Sequence, residues 1–465
     1  MVEANFYLPN ECWESIFAFL NHSDEDEHNH CCLKSLSLVS KHFLSITNAV
    51  QFSLNIYNPT RPFLYLLFKR FTNLTHLDFT CFRGDLDALL SQISCFRLNL
   101  TSLKISNQYA IPANGLRAFS RKITTLTSLT CSNLVSFDST DLNLIAECFP
   151  LLEELDLSYP LNFINSYSYL LGVETLSTSL IKLRKINLTS HAYLNDQLLF
   201  QLFKNCKLLE EAVLLYCCQI TNAGIASALR KRPSLRSLSL SNNKYAKHIT
   251  LDFSDSLVSL RSLSCFDLLS LHISDELLSS IATIFLSLPL RRLVLQNCTG
   301  YSYYGIYCLL YNCRSIQHLD LQNATFMNDQ CVAQLSLFLG DLRSVNLSKC
   351  SMLTHLALFV LARSCPSISE IKMEYTSIGK NIVENSNSSM DFVVNPRLKS
   401  LYLAHNSRLR SESLIMFASM FPNLQMLDLS YCYNISEESI YQVLKRCCKI
   451  RHLNLTGCNA VNYME

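Results

Sequence analysis

The chain has 465 residues, a formal net charge of +2 at pH 7, and 49% hydrophobic side chains. Its length exceeds one ordinary core and calls for several domains or one repeat array, and near-neutrality argues against a dedicated binder of nucleic-acid phosphates. No apolar run approaches the roughly 20 residues of a membrane span, and the opening "MVEANFYLPNECWE" lacks the basic and apolar regions of a secretory leader.

The first predicted element follows Leu8 and Pro9. Proline suits the first helical position, where its missing N–H costs nothing. Trp13, the sole tryptophan, recurs with Ile16, Phe17 and Leu20 at i, i+3, i+4 and i+7, one apolar helical face. After the polar loop "NHSDEDEHNH", Leu33, Leu36, Val39, Phe43 and Ile46 again keep helical spacing. Residues 5–50 therefore read as a two- or three-helix unit, too small to be stable alone. His28, His30, Cys31 and Cys32 crowd together, but adjacent ligands suit a tetrahedral site poorly, so no metal is expected. Residues 51–73 read as a connection or an irregular first repeat.

From Leu74 onward the pattern L-x-x-L-x-L recurs, with other apolar residues at times replacing leucine. It starts at Leu74, Leu100, Leu126, Leu152, Leu183, Leu209, Leu235, Leu260, Leu290, Ile316, Leu342, Ile368, Leu398, Leu424 and Ile450. Ten of the fourteen intervals are 26 residues, and the others are 31, 25, 30 and 30. The alternation predicts a short strand in each unit, followed by a turn and a helix. Where a proline precedes the next strand, it stops that helix. Eight places after the start stand Cys217, Cys298, Cys350, Cys432 and Cys458, with Asn243 and Asn406 as equivalents. A thiol or amide there can turn inward and serve the backbone of the bend. The 21 cysteines, odd in number and spread over a large chain, read as reduced buried thiols, which places the protein in the cytoplasm, the nucleus or both. Asn73, Asn99, Asn187, Asn346 and Asn454 open formal glycosylation acceptors, read here as polar flanks of strand leucines. "SIGKNIVENSNSSMDFVVNP", Ser377 to Pro396, reads as a loop in place of a helix.

One strand-turn-helix unit cannot bury its own apolar edge, so the units must stack. The repeats resemble the cysteine-containing class of leucine-rich repeat over about Leu74 to the C-terminus. In the head, Leu8-Pro9-x-Glu11, Ile16-Phe17-x-x-Leu20 and "LSLVSKHF" (Leu36 to Phe43) resemble an F-box. Phe43 stands where tryptophan is common, and the loop after Leu20 is longer and more acidic than usual. Together they resemble plant-type F-box/leucine-rich-repeat proteins. The resemblance implies an α/β fold: a small helical head, then a curved right-handed solenoid of about fifteen repeats over residues 74–465, with parallel strands on the concave face and helices on the convex face.

It also implies a non-catalytic specificity subunit of a Skp–cullin–F-box ubiquitin ligase. Leu8, Pro9, Ile16, Phe17, Leu20, Leu36, Val39 and Phe43 would dock a Skp-type adaptor and, through it, a cullin. The repeats would select the protein to be ubiquitinated. A hormone receptor of the same architecture, and a scaffold independent of any adaptor, remain open. A head that only caps the first repeat is the plainer alternative. No phosphate loop, G-x-S-x-G elbow or H-E-x-x-H is present, so no catalytic residue or cofactor is expected, and neither nucleic acid nor membrane as partner.

The third, fifth and seventh places of each unit should face outward from the sheet. Most are small and polar, and the basic residues are few and spread out: Lys104, Lys185, Arg292 and Lys372, with His76, His318 and His452. A polyanionic cofactor needs several convergent cations, so no bound inositol polyphosphate is expected. Val213, Leu215, Phe266 and Val294, with Arg292 beside them, form the candidate substrate-binding group. The Ser377–Pro396 loop with Tyr402 is a second candidate.

Overall fold

The computed structural model describes residues 8–22, 29–163, 166–241, 251–285, 289–379 and 393–458. The chain divides into two compact units, Met1–Tyr193 with Lys204–Leu209, and Leu194–Phe203 with Glu210–Glu465.

The first unit opens with a head of three helices, α1 (Asn10–His22), α2 (Asn29–Ser37) and α3 (Lys41–Ala49). Pro9 lies one place before α1, and its carbonyl accepts from the N–H groups of Cys12 and Trp13 at 3.1 and 3.3 Å. Phe17, Leu33, Ile46 and Val50 are buried at the centre, with Trp13, Leu36, Phe43 and Phe52 packed around them. Phe43 meets the rings of Trp13 and Phe17 at 4.9 and 5.1 Å, so the tryptophan belongs to the head's own core. Ser40 starts α3 by accepting the Phe43 N–H at 3.1 Å, the usual role of serine at an N-cap.

No flexible stretch separates this head from the repeats. Ser53–Asn55 is a strand that pairs in parallel with His76–Asp78. The Phe52 carbonyl accepts from Thr75 and His76, and Asn73 donates to the Ala49 carbonyl at 3.0 Å. The sheet of the first unit continues through Ser102–Lys104, Ser128–Thr130, Glu154–Asp156 and Lys185–Asn187. That of the second unit runs Glu211–Leu214, Ser237–Ser241, Cys265–Leu269, Arg292–Val294, His318–Asp320, Ser344–Asn346, Glu370–Lys372, Ser400–Tyr402, Met426–Asp428 and His452–Asn454, all parallel. Helices alternate with these strands, as the repeat pattern predicts. Among the described residues none lies between Glu370–Lys372 and Ser400–Tyr402, but most of the Ser377–Pro396 segment is outside the described residues.

One repeat frame differs from the sequence pattern. "LRSLSCFDLL" supports a start at Leu260 or at Leu263, and pairing selects Leu263, because Leu238, Phe266 and Leu293 fall in one row. The choice follows from burial: this frame puts Phe266 and Leu268 inside, whereas the other would leave both on the open face.

Seven residues after each start from Leu100 onward, among the described residues, the backbone turns left-handed, from Asn107 (φ 59°) through Tyr375, His405 and Tyr431 to Gly457 (φ 72°). Each such N–H in the last repeats reaches the next repeat's carbonyl, Tyr375 to Ala404, His405 to Ser430 and Tyr431 to Thr456. These bonds between repeats help offset the strain of φ > 0 in non-glycine residues.

The cysteines one place further on are donors. Cys298, Cys350, Cys432 and Cys458 give their thiol protons to the carbonyls of Leu268, Leu321, Leu403 and Leu429 in the preceding repeat. Their sulfurs also face backbone N–H groups of the bend, those of Ser270 and Leu271 at Cys298 and of Asn323 and Ala324 at Cys350, so they serve its amides as well as its carbonyls. Asn406 does both, donating to Met373 and Leu403 and accepting from Thr376; Asn243 lies outside the described residues. A second thiol position, not read from the sequence, closes helices at Cys313, Cys365 and Cys447. Burial pushes Cys298 up to about 11 and Cys350, Cys365 and Cys432 up to about 12. Brief alkylation of the native chain near about pH 8 should modify the exposed Cys12, Cys81, Cys95 and Cys448 and spare these four. Peptide mass spectrometry showing Cys350 labelled as fast as Cys448 would contradict the assignment.

Carboxylates also tie neighbouring repeats together. Asp275 accepts from the N–H and hydroxyl of Ser302, and Asp196 and Asp329 hold Thr221 and Thr354 in the same way. Gly224 and Gly305 follow from this clamp, since a Cβ at either would collide with the carboxylate of Asp196 or Asp275.

Candidate functional site

Two surfaces can carry recognition: the rim of the head and the open face of the sheet. On the head, Leu8, Pro9, Ile16 (41% exposed) and Val39 (65%) are exposed. Leu38, at 82% exposed, joins them although the sequence pattern did not single it out. Phe17 does not belong to this rim. Adjacent residues of a helix point about 100° apart, so once Phe17 takes the core with Trp13, Ile16 is turned out. Leu36 and Phe43 are half-buried against the same core. The side chain of Leu20 lies outside the described residues. Phe17, Leu36 and Phe43 thus build the shape of the head, and the exposed residues can touch a partner.

On the sheet face, each of the cations expected there has an acidic neighbour. Lys104 pairs with Asp78 at 3.4 Å, Lys185 with Glu154 at 3.1 Å, Arg292 with Asp267 at 3.0 Å and Lys372 with Glu370 at 3.5 Å. Burial, and next Arg292, lower His318 toward its neutral form. Asp and Asn recur at the fifth place for a local reason: Asp78, Asp156, Asn187, Asp320, Asn346, Asp428 and Asn454 each accept the N–H two residues on. That turn chemistry is typical of these side chains, and it accounts for three of the formal glycosylation acceptors. A face whose cations are already neutralised offers a polyanion little. Mass spectrometry of the purified chain should therefore find no inositol polyphosphate bound; stoichiometric co-purification would overturn this.

The expected substrate-binding group does not assemble. Phe266 is fully buried and Val294 nearly so, while Val213 and Leu215 are half-buried. Strand register interposes Ser239 and Asp267 between Val213 and Val294, and Ser239 donates to Asp267 at 3.3 Å. The misplaced frame at Leu260 brought Phe266 onto the face.

Another cluster was missed. Tyr375, His405 and Tyr431 occupy one place in successive repeats, and their rings stack at 4.1 and 4.4 Å with interplanar angles of 11° and 12°. Aromatic residues seven places after three consecutive repeat starts were the available signal. Tyr402 carries Lys372 over its ring at 4.9 Å. Burial, and next Asp428, raise the Glu374 carboxyl. In the first unit Tyr169 and His191 form a buried pair, the hydroxyl 2.8 Å from Nδ1 while Nε2 lies 2.8 Å from the Leu157 carbonyl. They line a cavity of about 320 Å³. Burial lowers His191 to about 4, so it stays neutral with both ring nitrogens engaged.

No family model matches this sequence. Among solved structures, a chain of the yeast Rad7–Elc1 complex is similar at 16% identity and a TM-score of 0.50, over 97% of this chain and 89% of that one. An internalin of Listeria monocytogenes is 15% identical with a TM-score of 0.36, over 94% and 97% of the two chains. The fold is a leucine-rich-repeat fold. Among the described residues no helix is long and apolar enough to cross a membrane.

Proposed function

We propose that the chain is the substrate-recognition subunit of a Skp–cullin–F-box ubiquitin ligase, working in the cytoplasm or nucleus. The observation that carries this reading is the head's exposed apolar rim. Leu8, Ile16, Leu38 and Val39 stay outside a unit whose own core is already filled by Trp13, Phe17, Leu33, Phe43 and Ile46. A cap has no use for them, because it covers a repeat end with the side it turns inward. A docking head does, since interface energy concentrates in a few apolar anchors.

The yeast neighbour was crystallised as a complex of two proteins, which supports a protein-binding role for this architecture. In such a subunit no residue performs chemistry. The head holds a Skp-type adaptor and its cullin, the repeats hold a substrate protein, and the gain is effective concentration of a substrate lysine near the conjugating enzyme. Affinity purification under proteasome inhibition should recover a Skp-type adaptor and a cullin with the chain. Their absence, under conditions where another F-box protein retains both, would leave an adaptor-independent scaffold.

A further inference from the structure

The first residue after each repeat start was not counted among the outward-facing positions. Near the start of the second unit this place holds Glu210, Arg236 and Ser264, the first two an ion pair at 3.7 Å. From Leu290 to Ile450 it holds Arg291, Gln317, Arg343, Ser369, Lys399, Gln425 and Arg451. They lie in one row, because each N–H donates to the carbonyl of the one before, Gln317 to Arg291 at 2.7 Å and Arg451 to Gln425 at 2.8 Å. Cations therefore recur on alternate strands. Arg397 and Lys449, two residues before Lys399 and Arg451, add to the same edge. All of these cations, from Arg291 to Arg451, are exposed. Unlike Arg292 and Lys372 on the neighbouring face, none of them forms an ion pair among the described residues. Asp341 is the one carboxylate at the positions flanking the repeat starts from Leu290 to Ile450.

We propose that this edge is a rail for an extended acidic segment of a partner protein, bearing a carboxylate at every third residue. The inference deepens the function proposed above and rests on its premise that the repeats recruit a protein. Charge complementarity names an anion, and spacing names its kind. Strands lie about 4.8 Å apart, so successive cations on alternate strands stand roughly 9.6 Å apart. A polyproline II helix advances about 3.1 Å per residue with three residues per turn, returning to one face every ~9.3 Å. Such a chain can set one carboxylate against each cation while Gln317, Ser369 and Gln425 hydrogen-bond between them. An inositol polyphosphate is compact and covers only a short stretch of the row, whereas an extended chain can follow its whole length, and nucleic-acid phosphates at about 3.4 Å per step along each strand do not share its spacing.

The test uses the full chain and a fluorescein-labelled peptide of about twelve residues, Glu-Pro-Ser repeated, long enough for the ~29 Å from Arg291 to Arg451. A second peptide has the same composition with its glutamates contiguous. Arg343→Gln with Lys399→Gln is the variant, and it should fold, because glutamine already occupies this row at 317 and 425. Lys69→Gln with Lys122→Gln removes two exposed cations elsewhere. The periodic peptide should bind the native chain and the Lys69/Lys122 variant alike, about tenfold or more tighter than it binds the rail variant, and weaken between about 50 and 300 mM salt. Equal binding of the two peptides, equal loss in both variants, or tighter binding of inositol hexakisphosphate or a single-stranded oligonucleotide would overturn it. Adaptor capture is scored on the same preparations. A chain that holds the peptide but no adaptor sinks the ligase reading alone, and one that holds adaptor but no peptide sinks the rail alone.

Discussion

Ile16→Asp combined with Pro9→Ala should abolish capture of the Skp-type adaptor and leave the chain folded. Ile16 is 41% exposed, so in the free protein an aspartate there remains in water and costs the head little. At an interface the same carboxylate is buried without a partner, a cost of several kcal/mol, or on the order of 1,000-fold in affinity. Pro9 lies outside α1, and alanine keeps the carbonyl that accepts from Cys12 and Trp13 while losing the ring. Far-ultraviolet circular dichroism and melting temperature should match those of the native chain. Adaptor and cullin pulled down at native levels would remove the F-box assignment. Phe17→Ala is the contrasting variant, expected to loosen the head itself because that ring is buried between Trp13 and Phe43.

Phe266→Ala should destabilise the second unit by about 3–5 kcal/mol, the usual cost of truncating a buried phenylalanine. Its ring has no exposed surface, stacks on Phe253 at 6.4 Å, and stands in the row between Leu238 and Leu293. Leu215→Arg, at a half-buried position on the open face, should change stability by about 1 kcal/mol or less. Urea denaturation of the two variants separates the cases. An unchanged midpoint for Phe266→Ala would return that ring to the surface and restore the repeat start at Leu260.

Most of the repeat fold was legible because burial writes itself into spacing. Leucines that fill a strand's inner side recur wherever strands stack, and fourteen of the fifteen starts agree with the strand pairing. The failure at Leu260 has the same cause in reverse. In "LRSLSCFDLL" too many apolar residues satisfy the pattern, and only pairing with neighbouring strands decides which of them go inside. The donation of the thiol protons to carbonyls of the preceding repeat was hidden because a cysteine advertises its burial and not its partner. The clamps of Asp196, Asp275 and Asp329 join residues 25 to 27 apart in sequence, a separation that means nothing until the repeats are stacked. The head's pattern named the right apolar residues but not which of them look outward, since α1 must choose between Ile16 and Phe17 and three-dimensional packing makes the choice. Phe266 left the candidate binding group with its frame, while Val294 is lost to burial and Ser239 and Asp267 stand between it and Val213; the basic edge lies at the places between those that the alternation turns outward.

The way the head enters the sheet sets a limit on motion. Val50 closes the head's core, and three residues later Ser53 is already hydrogen-bonded into the first strand pair. There is no length of chain in which a swivel could sit, so whatever the head grips is held at a fixed bearing to the first repeats. Within the first unit the head then acts as a bracket and not a tether, its angle to the first repeats set by the pitch of the first strand. Retuning that angle would take residues inserted between Val50 and Ser53, and a change of surface side chains would leave it as it is.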